Sequence, residues 1–195
     1  MRGLSAAARA PALRVLEREP DVLKRLGSVL AQRVSAARIR CHGDYGLGQV
    51  LHTGKDFAIV DFEGDPGQAV SERRIKWLVL RDLAGMLCSF RYAAETALAR
   101  QEELGRAATQ KRELLAAWAG CWRLWVGVAF LKGHLETLGR SALLPGDDGV
   151  YQSLLEVYVL DRLLGNLGDH LTRQPNLVGP GCEGILQVLR SRGVL

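Results

Sequence analysis

Apolar residues recur three or four apart over residues 11–33, at Leu13, Leu16, Val22, Leu23, Leu26 and Leu30. That spacing predicts a helix, interrupted near Pro20 and restarted by Asp21. Beyond Arg38 the pattern changes. Val50-Leu51-His52 and Phe57-Ala58-Ile59-Val60 are short β-type runs, and the four turn-forming residues Thr53-Gly54-Lys55-Asp56 between them predict a hairpin. A polar loop holding Pro66 follows over residues 63–71. From Leu80 to Arg100 the positions Leu83, Leu87, Phe90, Ala94 and Ala97 share one helical face. A longer helix is expected from about Ala108 to Leu138, carrying Trp118, Trp122 and Trp125 four and three apart. Such a stripe reads as core packing rather than as a ligand platform. Residues 141–149 form a loop, and Val150 to Arg173 a helix weakened by Gly165 and Gly168. A last short helix is expected from Cys182 to Ser191. The fold class is α+β, mainly α-helical, with one small β-hairpin.

The chain has 195 residues, and its 48% hydrophobic and 24% charged content excludes a disordered or collagen-like protein. The net charge of +5 comes from dispersed residues with no run of five or six, which argues against a nucleic-acid tail. Cys41, Cys88, Cys121 and Cys182 lie far apart without a CxxC pair or zinc-finger spacing, so free thiols in a reducing, cytoplasmic setting are expected. Arg9 and Arg14 interrupt any signal-peptide core. The apolar region Leu114–Leu131 is broken by Arg123 and two glycines, so it reads as a buried helix, with no membrane partner.

Chemistry concentrates in Cys41-His42-Gly43-Asp44-Tyr45-Gly46-Leu47-Gly48-Gln49 and in Asp61-Phe62-Glu63-Gly64. Closing the hairpin brings Gln49 beside Asp61, with Asp44 facing them from a glycine-rich loop. A carboxylate and an amide oxygen suit Mg²⁺, which keeps waters and phosphate oxygens as its other ligands. The remaining carboxylate is then free to align an attacking hydroxyl, the division of labour used in kinase-type phosphoryl transfer. From spacing alone, two isolated acids beside a hairpin are equally compatible with an ordinary loop.

His42-Gly43-Asp44 with Gln49, followed by Asp61-Phe62-Glu63, resembles the signatures of the aminoglycoside-phosphotransferase-like kinases. Thr53-Gly54-Lys55-Asp56-Phe57, Ser71-Glu72-Arg73-Arg74-Ile75-Lys76 and Leu80-Arg81-Asp82-Leu83-Ala84-Gly85-Met86-Leu87 narrow this to a resemblance to bacterial maltokinase, including the form fused to trehalose synthase. The resemblance runs from about Leu13 to the C-terminus and implies the C-terminal lobe of a protein-kinase-like fold over residues 36–195, preceded by a helical segment, 1–35. It implies ATP-dependent phosphorylation of maltose to maltose 1-phosphate, a step of glycogen-type glucan synthesis. By the same resemblance Asp44 is the catalytic carboxylate, Gln49 and Asp61 hold Mg²⁺, and His42 braces the loop and contacts sugar. Arg162 stands at a substrate-binding position. Asp82, at a helix N-terminus, reads as structural through the helix dipole.

The chain departs from that family in three places. Gly46 replaces a histidine, Arg162, Gly165, Asn166, Asp169 and His170 replace a Lys-x-x-Tyr-Glu-x-x-Tyr-Glu pattern, and Trp77-Leu78-Val79 replaces a Ser-Pro. No glycine loop or strand-borne lysine for gripping ATP phosphates precedes Arg38. The expectation is therefore a C-terminal lobe inactive by itself, completed by an N-terminal lobe or a trehalose synthase domain. Two alternatives stand beside it: a non-catalytic remnant or binding module, and a phosphotransferase of aminoglycoside or choline type.

Overall fold

A computed structural model describes residues 4–65, 67–104 and 109–190, so Pro66, Ala108 and Ser191 of the sequence reading lie outside the described residues. Helix α1 spans Ala6–Glu17 and α2 Glu19–Gly27. Helix α1 starts earlier than the apolar spacing indicates because Ser5 caps it, its hydroxyl accepting the Ala8 N–H at 3.3 Å. The expected break falls at Arg18, and Pro20 sits in the first turn of α2, where its missing N–H costs nothing. Helix α2 ends at Gly27 rather than running to residue 33.

Strands β1, Val50–His52, and β2, Phe57–Ile59, form an antiparallel pair in which Val50 faces Ile59 and His52 faces Phe57. Gly54 turns the hairpin with φ of 91°, and Thr53 closes it through a 2.8 Å bond from its N–H to the Asp56 carbonyl. A single turn, α3, covers Val70–Arg73. Then come α4 (Leu80–Glu103), α5 (Thr109–Leu138), α6 (Asp148–Arg173) and α7 (Val178–Arg190). Asp147 starts α6 two residues before the apolar pattern does, its carboxylate accepting the Val150 N–H at 2.8 Å.

The core lies where α4, α6 and α7 meet, around the fully buried Leu80, Leu160, Leu163, Val178, Cys182 and Ile185. Each large aliphatic side chain withdrawn there contributes about 1.5–3 kcal/mol. Helix α1 packs on α7, with Arg14 paired to Glu183. Helix α2 lies on α6, where Arg25 reaches the buried Glu156 carboxylate. Burial pushes the Glu156 carboxyl up against the downward pull of Arg25. Trp77 and Ile39 exchange two 2.9 Å backbone bonds, and the Arg81 guanidinium lies 4.5 Å from the Trp77 ring centre. Leu78 and Val79 follow into the core, which gives the Trp77-Leu78-Val79 departure a structural role.

Two expectations fail on α5. This helix packs chiefly on α4, with Phe130 and Trp122 edge-on to Phe90 at 5.6 and 6.2 Å. The tryptophan stripe is not core: Trp118, Trp122 and Trp125 are 65%, 45% and 66% exposed. The segment Lys111–Leu138 is long and apolar enough to cross a membrane, with a mean hydropathy of 1.6, and only 6% of its most apolar window is buried. Arg123 and the glycines therefore do not break its apolar run, and it is not a buried helix. Hydropathy periodicity locates a helix but not the neighbour that covers it. The four cysteines are free thiols. Cys88 and Cys182 are buried as expected, whereas Cys121 is exposed on α5.

Candidate active site

The loop from Cys41 to Gly46 is held by its backbone. Asp82, in the first turn of α4, accepts the His42 N–H at 2.7 Å and the Gly43 N–H at 2.9 Å, one on each carboxylate oxygen. His42 is buried, and its Nε2 lies 2.8 Å from the Val60 carbonyl. A carbonyl only accepts, so Nε2 carries the proton and Nδ1 is left to accept the Asp44 N–H at 3.4 Å. The imidazole is flanked by Phe62 and Tyr45, with ring centres 4.9 and 5.7 Å away. Both ring nitrogens thus have protein partners, and the ring ties the loop to the end of β2. Cys41 points back at the Leu78 carbonyl, 3.4 Å from its sulfur, and burial pushes its thiol up to about 11, so it stays protonated and inert.

Asp44 projects from this braced loop into partial exposure and is paired with Arg162, which reaches across from α6. Gln49 lies at the mouth of the hairpin, where its carbonyl accepts the Val60 N–H at 2.9 Å. Its side-chain oxygen turns toward the loop, 3.4 Å from where a Cβ on Gly46 would stand. Asp61 follows Val60 directly and has φ of 66°, the only positive φ of a non-glycine among the described residues. Asp tolerates that region better than most side chains, but the strain marks a constrained position. Asp61 is exposed, and its carboxylate has no partner among the described residues.

No three His, Cys, Asp or Glu side chains cluster to hold a metal among the described residues. A donor set of one free carboxylate and one amide oxygen nevertheless fits Mg²⁺, which takes one or two protein oxygens and completes its shell with water and phosphate. Asp44, neutralised by Arg162, is not needed for that shell.

The late helix positions behave unequally. Gly165 is exposed, and a Cβ added to it would meet nothing within 4 Å, so the space a tyrosine fills in the resembling family is open here. His170 turns the other way, into the core, edge-on to Tyr92 at 4.7 Å, and burial lowers its pKa. At Gly46 an added Cβ would lie 3.2 Å from Ser89 Oγ, the hydroxyl that accepts the Leu47 N–H at 2.9 Å. A histidine there would need Ser89 to move.

Asp82 is the functional residue that sequence reasoning undervalues. Its place in the first turn of α4 suggests the helix dipole, while its hydrogen bonds go to a loop about forty residues earlier. Gly85 is a second such residue. A Cβ on it would come 2.5 Å from the Tyr45 carbonyl oxygen, so only glycine lets α4 approach the loop this closely. A glycine inside an otherwise regular apolar helix is the signal that could have found it.

No family model matches the chain. A glucosamine kinase from Streptacidiphilus jiangxiensis is 27% identical over 105 residues, which are 52% of this chain and 21% of that protein. Two solved structures share the fold. Glucosamine kinase in one crystal form superposes with a TM-score of 0.68 at 19% identity, over 93% of this chain and 42% of that one. Glucosamine kinase in complex with glucosamine, ADP and inorganic phosphate does so with the same TM-score and identity, over 93% and 41%. The chain therefore spans less than half the length of the proteins it matches. Its fold is one found within sugar kinases, and the mainly helical body with a two-stranded sheet is consistent with a kinase-like C-terminal lobe.

Proposed function

We propose that the chain is the acceptor- and metal-binding half of an ATP-dependent phosphotransferase acting on a sugar hydroxyl. The observation that supports this reading is the Asp82 clamp on the loop bearing Asp44, together with the His42 ring that ties that loop to Val60, the residue bonded to Gln49 and preceding Asp61. In this reading the Asp44 carboxylate aligns the acceptor hydroxyl and takes its proton as the oxygen attacks the γ-phosphorus of ATP and the bond from that phosphorus to the oxygen leaving with ADP breaks. Arg162 sets the direction of that carboxylate, and His42 works as a positioning residue through its bonds to Asp44 N–H and Val60. Gln49 and Asp61 would hold Mg²⁺, which when bound supplies charge neutralisation on the nucleotide phosphates. The ADP and phosphate in the related kinase complex support ATP as the donor.

Maltose, taking phosphate at its anomeric hydroxyl, is the acceptor favoured by the motif strings from His42 to Leu87. Glucosamine is the second acceptor to test, favoured by the related kinase solved with that sugar bound. A non-catalytic role is favoured by one specific observation, the open space at Gly165 where a sugar-contacting side chain is expected. The deciding measurement is ADP release with Mg²⁺-ATP and each sugar, by this chain alone and mixed with a separately produced N-terminal kinase lobe. The expected result is no turnover alone and turnover on mixing that Asp44→Asn removes. Turnover that survives Asp44→Asn, or none on mixing although the two parts associate, overturns the reading.

A further inference from the structure

Arginines from α4, α5 and α7 meet on the side of α4 that faces away from the loop bearing Asp44. Ser89 holds the Leu47 N–H at the end of that loop, and Arg91, two residues on, leaves the helix on nearly the opposite side. Arg91 is buried, only 8% exposed, and lies against α7 where a Cβ on Gly184 would stand 3.0 Å from its Nε. The Gln187 side-chain oxygen of α7 accepts from Arg91 Nη2 at 2.6 Å and from Arg123 Nη2 of α5 at 3.2 Å. Arg190, exposed in the last turn of α7, lines a recess of about 380 Å³ together with Arg91, Glu183 and Gln187. We propose that this recess binds a phosphate group, free or carried by a small monoester, at a site separate from the candidate active site.

Charge is what points to an anion. Among the described residues, Arg91, Arg123 and Arg190 make no ion pair with a carboxylate. Glu183, whose charge reaches Arg91, is already taken by Arg14. Glu95 is the acid felt by both Arg91 and Arg123, and it forms no ion pair among the described residues. Three positive charges against Glu95 leave an excess of two, close to the charge of about −1.5 to −2 on a phosphate monoester at neutral pH. Two guanidiniums that share one uncharged oxygen also repel each other. Burial lowers the pKa of both, and the charge of Arg91 lowers that of Arg123 further. A buried charge is costly unless it is paired, so a counter-ion completes such an arrangement. Guanidinium forks match the oxygens of phosphate two at a time, geometry that a spherical ion such as chloride leaves unused. The recess falls within the size range of small-ligand sites, so a monoester fits as well as free phosphate.

Calorimetric titration of the full chain with inorganic phosphate and with a sugar monophosphate, in chloride buffer at constant ionic strength, tests this independently of the kinase reading. The expected result is saturable one-to-one binding, with a melting temperature that rises as the site fills. Arg123→Gln and Arg190→Gln, at a half-buried and an exposed side chain, should each weaken binding by about tenfold or more while leaving the far-ultraviolet circular dichroism unchanged. Arg91→Lys keeps the charge but loses the fork, and should weaken binding as well. Arg162→Gln, on the candidate active site, should leave it unchanged. Whichever of the two phosphates binds more tightly names the source, and both should depend on the same arginines. No saturable binding at millimolar phosphate overturns the proposal, as does binding that survives both Arg123→Gln and Arg190→Gln. Binding lost only in Arg162→Gln places the anion at the candidate active site and overturns it too. Acetate bound as tightly as phosphate overturns the assignment to a phosphate group.

Discussion

Asp44 and Asp61 are the two carboxylates of the candidate site, and the chain holds them in opposite ways. Asp44 stands on a loop whose backbone is clamped by Asp82, whose histidine is buried, and whose carboxylate is already paired with Arg162. Asp61 stands at the exposed end of a hairpin with three-residue strands, in a strained backbone conformation, with its carboxylate unpartnered among the described residues. A two-stranded hairpin by itself is marginally stable in water. The contrast teaches that this chain organises the loop bearing Asp44 from within. The hairpin end is left open, and in the proposed reading the phosphates of a nucleotide would complete it.

The largest way to break that contrast is to release the clamp. Asp82→Ala removes both acceptors from two backbone N–H groups, and hydrogen bonds to a charged group contribute about 1.5–3 kcal/mol each. A loss of about 3–5 kcal/mol in urea unfolding is expected, with Asp82→Asn recovering part of it because one side-chain oxygen remains. A cost below about 1 kcal/mol would mean that the loop is held by His42 alone.

Gly85→Ala comes second. Its new methyl would meet a backbone oxygen, which cannot swing aside, so α4 and the loop must separate at a cost of about 1–3 kcal/mol. Gly165→Ala is the matched control in an open, exposed part of α6. It should stabilise the chain by up to about 1 kcal/mol, the usual difference between the two residues in a helix interior. Opposite signs at two helical glycines, measured by the same unfolding assay, would sharpen the comparison. Equal signs would show that the approach at Tyr45 relaxes freely.

What the sequence discloses follows the range of each interaction. The hairpin is legible because Thr53-Gly54-Lys55-Asp56 is a local signal, and its register brings Gln49 and Val60 together as the strand lengths require. The helices α4 to α7 are legible from periodicity, with their ends displaced by caps such as Asp147. Asp82 and Gly85 acquire their roles from partners about forty residues away, and one sequence carries no trace of that pairing. The exposure of α5 escapes for another reason. An apolar stripe records that something should cover it, and nothing in the stripe says whether that cover is the chain's own core.

Next in size is a dependence on pH. Burial lowers the pKa of both His134 and His170, and each has a buried ring nitrogen without a hydrogen-bond partner. With folded values below the unfolded value of about 6.5, the unfolded chain binds these protons first as pH falls. Stability is therefore full above about pH 6.5 and declines below it. Glu156, raised by burial, works in the other direction in the carboxylate range, so the histidines must be isolated by substitution. His170→Gln and His134→Gln should each flatten the fall of melting temperature between about pH 7.5 and 5.5. An unchanged slope in both would mean that neither ring is buried as neutral imidazole in solution.

The smallest effect belongs to the hairpin, and its smallness is what the comparison requires. Phe57 is 67% exposed and meets His52 across the strands, with ring centres 5.2 Å apart. Such a cross-strand pair contributes about 0.2–1 kcal/mol. Phe57→Ala should therefore lower global stability by about 0.5 kcal/mol, because the core between α4, α6 and α7 does not touch it. The same substitution should speed amide hydrogen exchange at Val60, whose N–H closes the hairpin onto Gln49. Exchange at His42 and Gly43, whose N–H groups are held by Asp82, should stay unchanged. If exchange at those two amides accelerates together with Val60, the hairpin and the loop open as one unit, and the loop bearing Asp44 is not organised independently of the hairpin.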